Sequence, residues 1–134
     1  MKNPQLSFTI AVTGHRFITT DDRLYNSIKT VLKQIVQHHR NSEIYLYSAL
    51  AEGSNQLVAE GALSFPQIKL IVALSLPEEE YLKGFATDIG KKAFYELTQN
   101  AHRMFTLSEQ DDYLTAVEYL GKYLQDHCEL LWRS

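Results

Sequence analysis

IKLIVAL, residues 68–74, is the most hydrophobic stretch of the chain, and it decides the fold class. Apolar and polar residues hardly alternate within it, which indicates a strand whose two faces are both covered. Such strands are typical of parallel sheets, because helices pack against both faces of these sheets. We therefore predict a buried central strand at 68–74.

Two apolar stretches that precede this strand predict neighbouring strands, LSFTIAV at residues 6–12 and EIYLYS at residues 43–48. A helix is predicted between them, with Thr19 or Thr20 as its N-cap. Apolar residues at helical spacing give this helix a buried side, which consists of Leu24, Ile28, Val31, Leu32 and Ile35.

A second helix is predicted to open at Ser54 and to be stopped by Pro66, because the proline ring blocks its continuation. Its apolar side consists of Leu57, Val58, Ala62 and Leu63. Later in the chain, Gly84 and Gly90 interrupt the pattern, which predicts a short helix and a loop over residues 78–89. The remaining predicted elements are a helix at 91–100, a strand at 102–107, a helix from Asp111 or Asp112, and a strand at 129–132.

Strands and helices thus alternate along the chain. This order implies right-handed crossovers between successive strands. It therefore predicts an α/β fold, namely a three-layer Rossmann-like sandwich with a mostly parallel sheet of about five strands. The length of 134 residues is typical of a single domain spanning residues 1–134. The single cysteine, Cys128, excludes an internal disulfide framework and a four-cysteine zinc site.

The charge balance excludes another class of function. Thirteen basic and sixteen acidic residues give a formal charge of −3, whereas proteins that grip a nucleic-acid backbone usually carry a basic surplus. Nucleic acid is therefore not an expected partner. Apolar runs are too short to span a membrane, and residues 1–12 do not resemble a signal peptide. We expect a cytoplasmic protein with no membrane partner.

In parallel α/β sheets, ligands bind beyond the carboxyl ends of the strands, near the point where the strand order reverses. The loop after the first predicted strand contains Gly14, His15 and Arg16. Glycine permits close approach of a ligand, histidine can donate a hydrogen bond, and arginine can bind a phosphate or carboxylate. The alternative is that Gly14 only makes a turn while the other two side chains lie in solvent.

The loop after the second predicted strand leads from Ser48 through Gly53 into a helix N-terminus, which favours anion binding. Ser54 and Asn55 can supply further hydrogen bonds, or one of them can serve only as the N-cap. Glu52 does not suit a phosphate, because its carboxylate would repel one. It would suit a ribose hydroxyl or a base amino group better, or it faces water.

Other candidate features are weaker. The acidic run at residues 78–80 is more typical of a solvated helix start than of a metal site, because histidine or aspartate partners are missing. No nucleophile–histidine–acid set can be assembled from a motif. The glycine-rich motifs of dinucleotide-binding and P-loop proteins are absent. We expect no metal and no cofactor.

Three motifs together resemble the SLOG superfamily, which joins DNA-processing proteins of the DprA/Smf type with LOG-type proteins. They are VTGHR at 12–16, SALAEGSNQLVAEGAL at 48–63, and Leu76-Pro77 with Glu79-Glu80-Tyr81. The resemblance runs over nearly the whole chain and is nearest to a bacterial branch with a GHR turn. It implies a Rossmann-like fold that binds nucleotides or nucleotide-derived ligands.

The resemblance also implies site residues and departures from the family pattern. Gly14 and Arg16 would lie in the first ligand loop, and Leu76 and Pro77 would flank the third. The second, at the helix dipole, would contain Ser48, Gly53, Ser54 and Asn55. Ala49 replaces a usual glycine, and Asn55 replaces a common acid. The Pro-Gly-Gly-x-Gly-Thr loop of the enzymatic LOG proteins is absent. Related chains continue past the last strand, so we expect either a truncated chain or a minimal member with an incomplete site.

Three hypotheses of function follow. The first is binding or sensing of a nucleotide or nucleotide-derived small ligand at the carboxyl edge of the sheet. The second is an enzyme of N-glycosidic bonds, a phosphoribohydrolase or a nucleoside deoxyribosyltransferase-like protein, with Glu52 as its candidate catalytic carboxylate. The third is a non-catalytic scaffold that forms a homo-oligomer through Tyr113, Tyr119 and Tyr123.

Overall fold

The computed structural model describes residues 6–13, 22–106 and 130–133. Its strands are β1 (Leu6–Thr13), β2 (Ser42–Ser48), β3 (Ile68–Leu74), β4 (Arg103–Thr106) and β5 (Leu130–Arg133). Its helices are α1 (Asp22–His38), α2 (Ser54–Ala62), α3 (Glu78–Leu82) and α4 (Asp88–Gln99). Among these residues no helix is both long enough and apolar enough to cross a membrane.

The strands form one parallel sheet in the order β4-β3-β2-β1-β5. Four of them follow one another across the sheet, and the short β5 pairs with the other side of β1. The order therefore reverses between β1 and β5. This architecture confirms the predicted α/β, Rossmann-like sandwich.

The burial patterns of β2 and β3 explain their positions in the sheet. β2 alternates, with Ile44, Leu46 and Ser48 buried. β3 is buried at every position except Lys69, as its unbroken apolar sequence predicts. The connections from β1 to β4 all step in one direction, so right-handed crossovers place α1, α2 and α4 on a common face. The main core lies between these helices and the sheet.

Helices α1 and α2 pack closely at Gly61. A Cβ atom at this glycine would lie 3.3 Å from Leu32 Cδ1, which is tighter than an ordinary contact. Leu32 itself is fully buried, whereas Val31 is 39% exposed. The expectation that Val31 belongs to the buried side is wrong, because the helix faces the core through Ile28 and Leu32 and Val31 lies at the margin of that stripe.

The apolar side predicted for α2 includes one residue, Leu63, that lies just beyond the end of the helix. The helix stops at Ala62, and the turn that follows is closed by the Phe65 N–H, which donates to the Ala62 carbonyl at 3.0 Å. Pro66 has no N–H with which to extend the helix by one more bond. Leu63, a member of the predicted apolar side, follows the last helical residue and is 38% exposed.

Helix α4 begins three residues earlier than predicted. The hydroxyl of Thr87 accepts a hydrogen bond from the Gly90 N–H at 2.9 Å and caps the helix that opens at Asp88. Gly90 therefore lies inside α4 and does not interrupt it. The neighbouring prediction is confirmed, since a short helix and a loop precede α4.

Several predictions fall outside the described residues. These are the Thr19 and Thr20 caps, the helix from Asp111 or Asp112, and the tyrosines at 113, 119 and 123. They stay predictions.

Truncating Leu32 to alanine should destabilise the protein by about 2–5 kcal/mol, because it leaves a cavity in the core. Val31→Ala on the same helix is the matched control and should stay within about 0.5 kcal/mol of the wild type. Urea unfolding measures both. Equal losses for the two variants would contradict the assigned burial of α1.

Candidate functional site

The carboxyl ends of β1, β2 and β3 lie at one edge of the sheet, because the three strands are parallel neighbours. The reversal of strand order between β1 and β5 is the expected ligand position. Gly14, His15 and Arg16 follow β1 directly, but they lie outside the described residues. The β2–α2 loop is the next one along this edge, because β2 pairs with β1.

The β2–α2 loop begins with a strained turn. Leu50 has a φ of 55°, in the left-handed region that costs a non-glycine residue about 1 kcal/mol or more. Two features hold it there. Its side chain is fully buried, and its N–H donates to the Ser48 Oγ at 3.0 Å. Ser48 is itself fully buried, so this candidate site residue supports the turn.

Gly53 sets the direction of α2. It occupies the N-cap position with a φ of 96°, which explains why a glycine stands here. The alternative that Ser54 or Asn55 is the N-cap is wrong, because the positive φ puts the helix boundary at Gly53. The first intrahelical bond runs from the Leu57 N–H to the Gly53 carbonyl at 3.2 Å. The N–H groups before Leu57 are not used by the helix itself.

The first turn of α2 buries polar side chains. Ser54 is fully buried and Asn55 is 6% exposed. Among the described residues, Asn55 Oδ1 is the buried side-chain oxygen that has no hydrogen-bond partner. A buried polar atom without a partner costs about 1–3 kcal/mol, so a water molecule, an ion or a ligand that donates a hydrogen bond to Asn55 Oδ1 would stabilise this helix start.

Glu52 bonds to the segment before α4. Its Oε1 accepts from the Ala86 N–H at 2.5 Å, and its Oε2 accepts from the Thr87 N–H at 3.1 Å and the Thr87 hydroxyl at 2.6 Å. Glu52 is half-buried, so these bonds engage its carboxylate at a position that still reaches the solvent. They give the carboxylate a structural role, and its catalytic assignment stays a prediction.

Gln56 reinforces the same connection from the first turn of α2. Its side-chain amide donates to the Gly90 carbonyl at 2.9 Å and to the Leu50 carbonyl at 3.2 Å. We call the contacts of Glu52 and Gln56 with Ala86, Thr87 and Gly90 the latch. It joins the candidate ligand loop to the start of α4.

Gly90 leaves room for the latch. A Cβ atom at this position would overlap the Glu52 carboxylate, with Cδ and Cγ both at 2.7 Å. A glycine suits position 90 because the side chain of Glu52, which lies 38 residues earlier in the sequence, closely approaches the backbone there. This explains a glycine inside an otherwise regular helix.

The third predicted ligand loop places its residues differently. Leu76 is 7% exposed and belongs to the core cluster, while Pro77 is exposed and stands at the N-cap of α3. Both follow β3, at the same edge of the sheet as Ser48. Leu76 is thus a packing residue of this edge, and Pro77 is accessible at it.

The acidic start of α3 lies beside a surface pocket between α3 and α4. The pocket has a volume of about 410 Å³ and is lined by Glu78, Glu79, Leu82, Lys83, Lys91 and Tyr95. A hydrogen bond from the Lys83 ammonium to Glu80 raises the pKa of Lys83. No group of three or more potential metal ligands occurs among the described side chains.

Comparison of the chain with protein-family models and with curated proteins gives no match. The resemblance to the SLOG superfamily therefore stays an expectation that rests on the motifs at 12–16 and 48–63.

Sequence reasoning missed Gln56, Thr87 and Gly90 as parts of this site. One local signal was available, because a threonine at N-cap followed by Asp88 is a common helix start. No signal in the sequence pairs Glu52 with Thr87, since 35 positions separate them.

Gly90→Ala should destabilise the protein by about 1 kcal/mol, because Glu52 must leave the latch and lose its hydrogen bonds. In a Glu52→Ala background the same change should be neutral or stabilising by about 0.5–1 kcal/mol, since alanine favours a helix over glycine. Urea unfolding of the four proteins in this double-mutant cycle measures the coupling. Additive effects would contradict the latch.

Ser48→Ala should destabilise the protein by about 1–3 kcal/mol, because the buried Leu50 N–H loses its acceptor. Ser64→Ala, at an exposed position, is the control and should change little. Thermal unfolding followed by circular dichroism compares the two. An unchanged midpoint for Ser48→Ala would show that the strained turn does not depend on this bond.

Proposed function

We propose that this protein binds a nucleotide or a nucleotide-derived small ligand at the carboxyl edge of its sheet, beside the start of α2. The observation that carries the proposal is Asn55 Oδ1, which is buried without a partner in the first turn of this helix. The helix begins at a glycine with positive φ in the loop after β2. This loop is one strand away from the reversal of strand order between β1 and β5, because β2 pairs with β1.

Two kinds of polar group meet at this helix start. Backbone N–H groups and the helix dipole favour a phosphate. Asn55 Oδ1 is an acceptor and needs a hydrogen-bond donor, such as a ribose hydroxyl or a base amino group. A nucleotide carries both a phosphate and such donors in one molecule. Inorganic phosphate has the charge but no ribose hydroxyl or base amino group.

The position of Glu52 removes an objection to a phosphate at this loop. Its carboxylate accepts hydrogen bonds from two backbone N–H groups and from the Thr87 hydroxyl. These donors lie on the α4 side of the loop. Hydrogen bonds from these donors offset part of its negative charge. The same contacts give no support to the N-glycosidase alternative, which needs this carboxylate at a substrate.

Isothermal titration with AMP, ADP-ribose and cyclic AMP tests the proposal, with inorganic phosphate as the comparison. We expect heat of binding with at least one nucleotide and a weaker response to phosphate alone. No heat with any nucleotide, at high protein concentration, would refute the proposal. Free base released during incubation with a nucleoside monophosphate would instead favour the enzyme.

Asn55→Asp should weaken binding of the nucleotide by about tenfold or more, because it adds a negative charge where the phosphate would bind. Asn41→Asp adds the same charge to an exposed turn before β2, at the opposite edge of the sheet, and is the matched control. Titration with the best nucleotide measures both affinities. Equal affinities for the two variants would place the phosphate elsewhere.

A further inference from the structure

We propose that Glu52 is a positioning residue for the ligand loop, acting through the latch that ties this loop to α4. The inference rests on the proposed function, because it concerns the same site. It differs from the catalytic assignment, since the role proposed here acts through the hydrogen bonds of Glu52 with Ala86 and Thr87.

The contacts of Glu52 span two connections of the fold. Its backbone lies immediately before Gly53, and its side chain holds Ala86 and Thr87, which lead into α4. Three hydrogen bonds on one carboxylate restrict its side chain to one conformation. The backbone at position 52 is restricted as a result, and this residue immediately precedes the helix start.

Gln56 restrains the other side of the same turn. It lies in the first turn of α2, is 8% exposed, and bonds to the Gly90 carbonyl. Its second bond, to the Leu50 carbonyl, holds the strained residue at the start of the loop. Glu52 and Gln56 therefore tie the loop to the start of α4 and to the segment before it, and Gln56 also ties Leu50 to the first turn of α2.

This arrangement fixes a backbone that would otherwise be adaptable. Glycine at 53 permits many conformations, so the φ of 96° requires support from its neighbours. Preorganised N–H groups bind a phosphate more tightly than mobile ones, because less conformational entropy is lost on binding. Release of the latch should weaken ligand binding even where the fold is intact.

Two variants remove the Glu52 contacts of the latch by independent routes. Glu52→Ala removes the carboxylate, and Gly90→Ala displaces it by overlap while leaving Glu52 in the sequence. The double variant regains stability, because an alanine in α4 then meets no carboxylate. It does not regain the bonds to Ala86 and Thr87. This set of variants therefore separates the effect of Glu52 on the stability of the protein from its effect on the position of the loop.

The experiment measures nucleotide affinity, unfolding free energy, and amide hydrogen exchange of residues 53–57 in the absence of ligand. Glu60→Gln, at an exposed position of α2, is the control for loss of a carboxylate. We expect each latch variant, including the double one, to bind nucleotide about tenfold more weakly and to exchange these amides faster. Glu52→Gln should lie between wild type and Glu52→Ala.

Affinity that returns with stability in the double variant would overturn the proposal, because Glu52 would then be merely structural. If the wild type binds no nucleotide, the proposed function fails and the exchange measurement alone decides. Faster exchange at 53–57 in the folded double variant would then support the positioning of the turn by Glu52. Unchanged exchange would refute it.

Discussion

Burial of β3 on both faces is the constraint on which the rest of the structure depends. Such a strand is typical of the interior of a parallel sheet, and β3 has parallel hydrogen-bonded neighbours on both sides, β2 and β4. The common direction of the first four strands follows. This direction brings the ends of β1, β2 and β3 to one edge, where their loops can meet a ligand.

The β2–α2 loop is the part of that edge where energetically unfavourable local features are stabilised by contacts with residues distant in the sequence. Leu50 is strained, Gly53 adopts a positive φ, and Asn55 Oδ1 is buried without a partner. Such features persist only where surrounding contacts determine them. Here the support comes from the buried Leu50 side chain, from the Ser48 hydroxyl and from the latch to α4. The proposed ligand binding would explain why these unfavourable features occur together in one loop.

Sequence periodicity predicted the fold well because it is a local signal. The central strand was predicted at its observed bounds, Ile68–Leu74, and the start of α2 at Ser54 was also correct. The errors arose where a local rule met a tertiary contact. Gly90 was interpreted as a break because glycine disfavours helices, whereas the Glu52 carboxylate requires it inside α4. Val31 has the spacing of a buried residue but lies at the margin of the packed stripe.

The sequence by itself determined the α/β class, the order of elements, and the loops that lie at the carboxyl edge, since these follow from hydrophobic period and chain direction. The tertiary structure alone decided what the polar residues of the second loop do. Whether Glu52 faces water, a ligand or Thr87 depends on contacts across more than thirty residues, and no local pattern encodes that distance. The same holds for Asn55, whose burial without a partner appears only once the sheet and helices have packed.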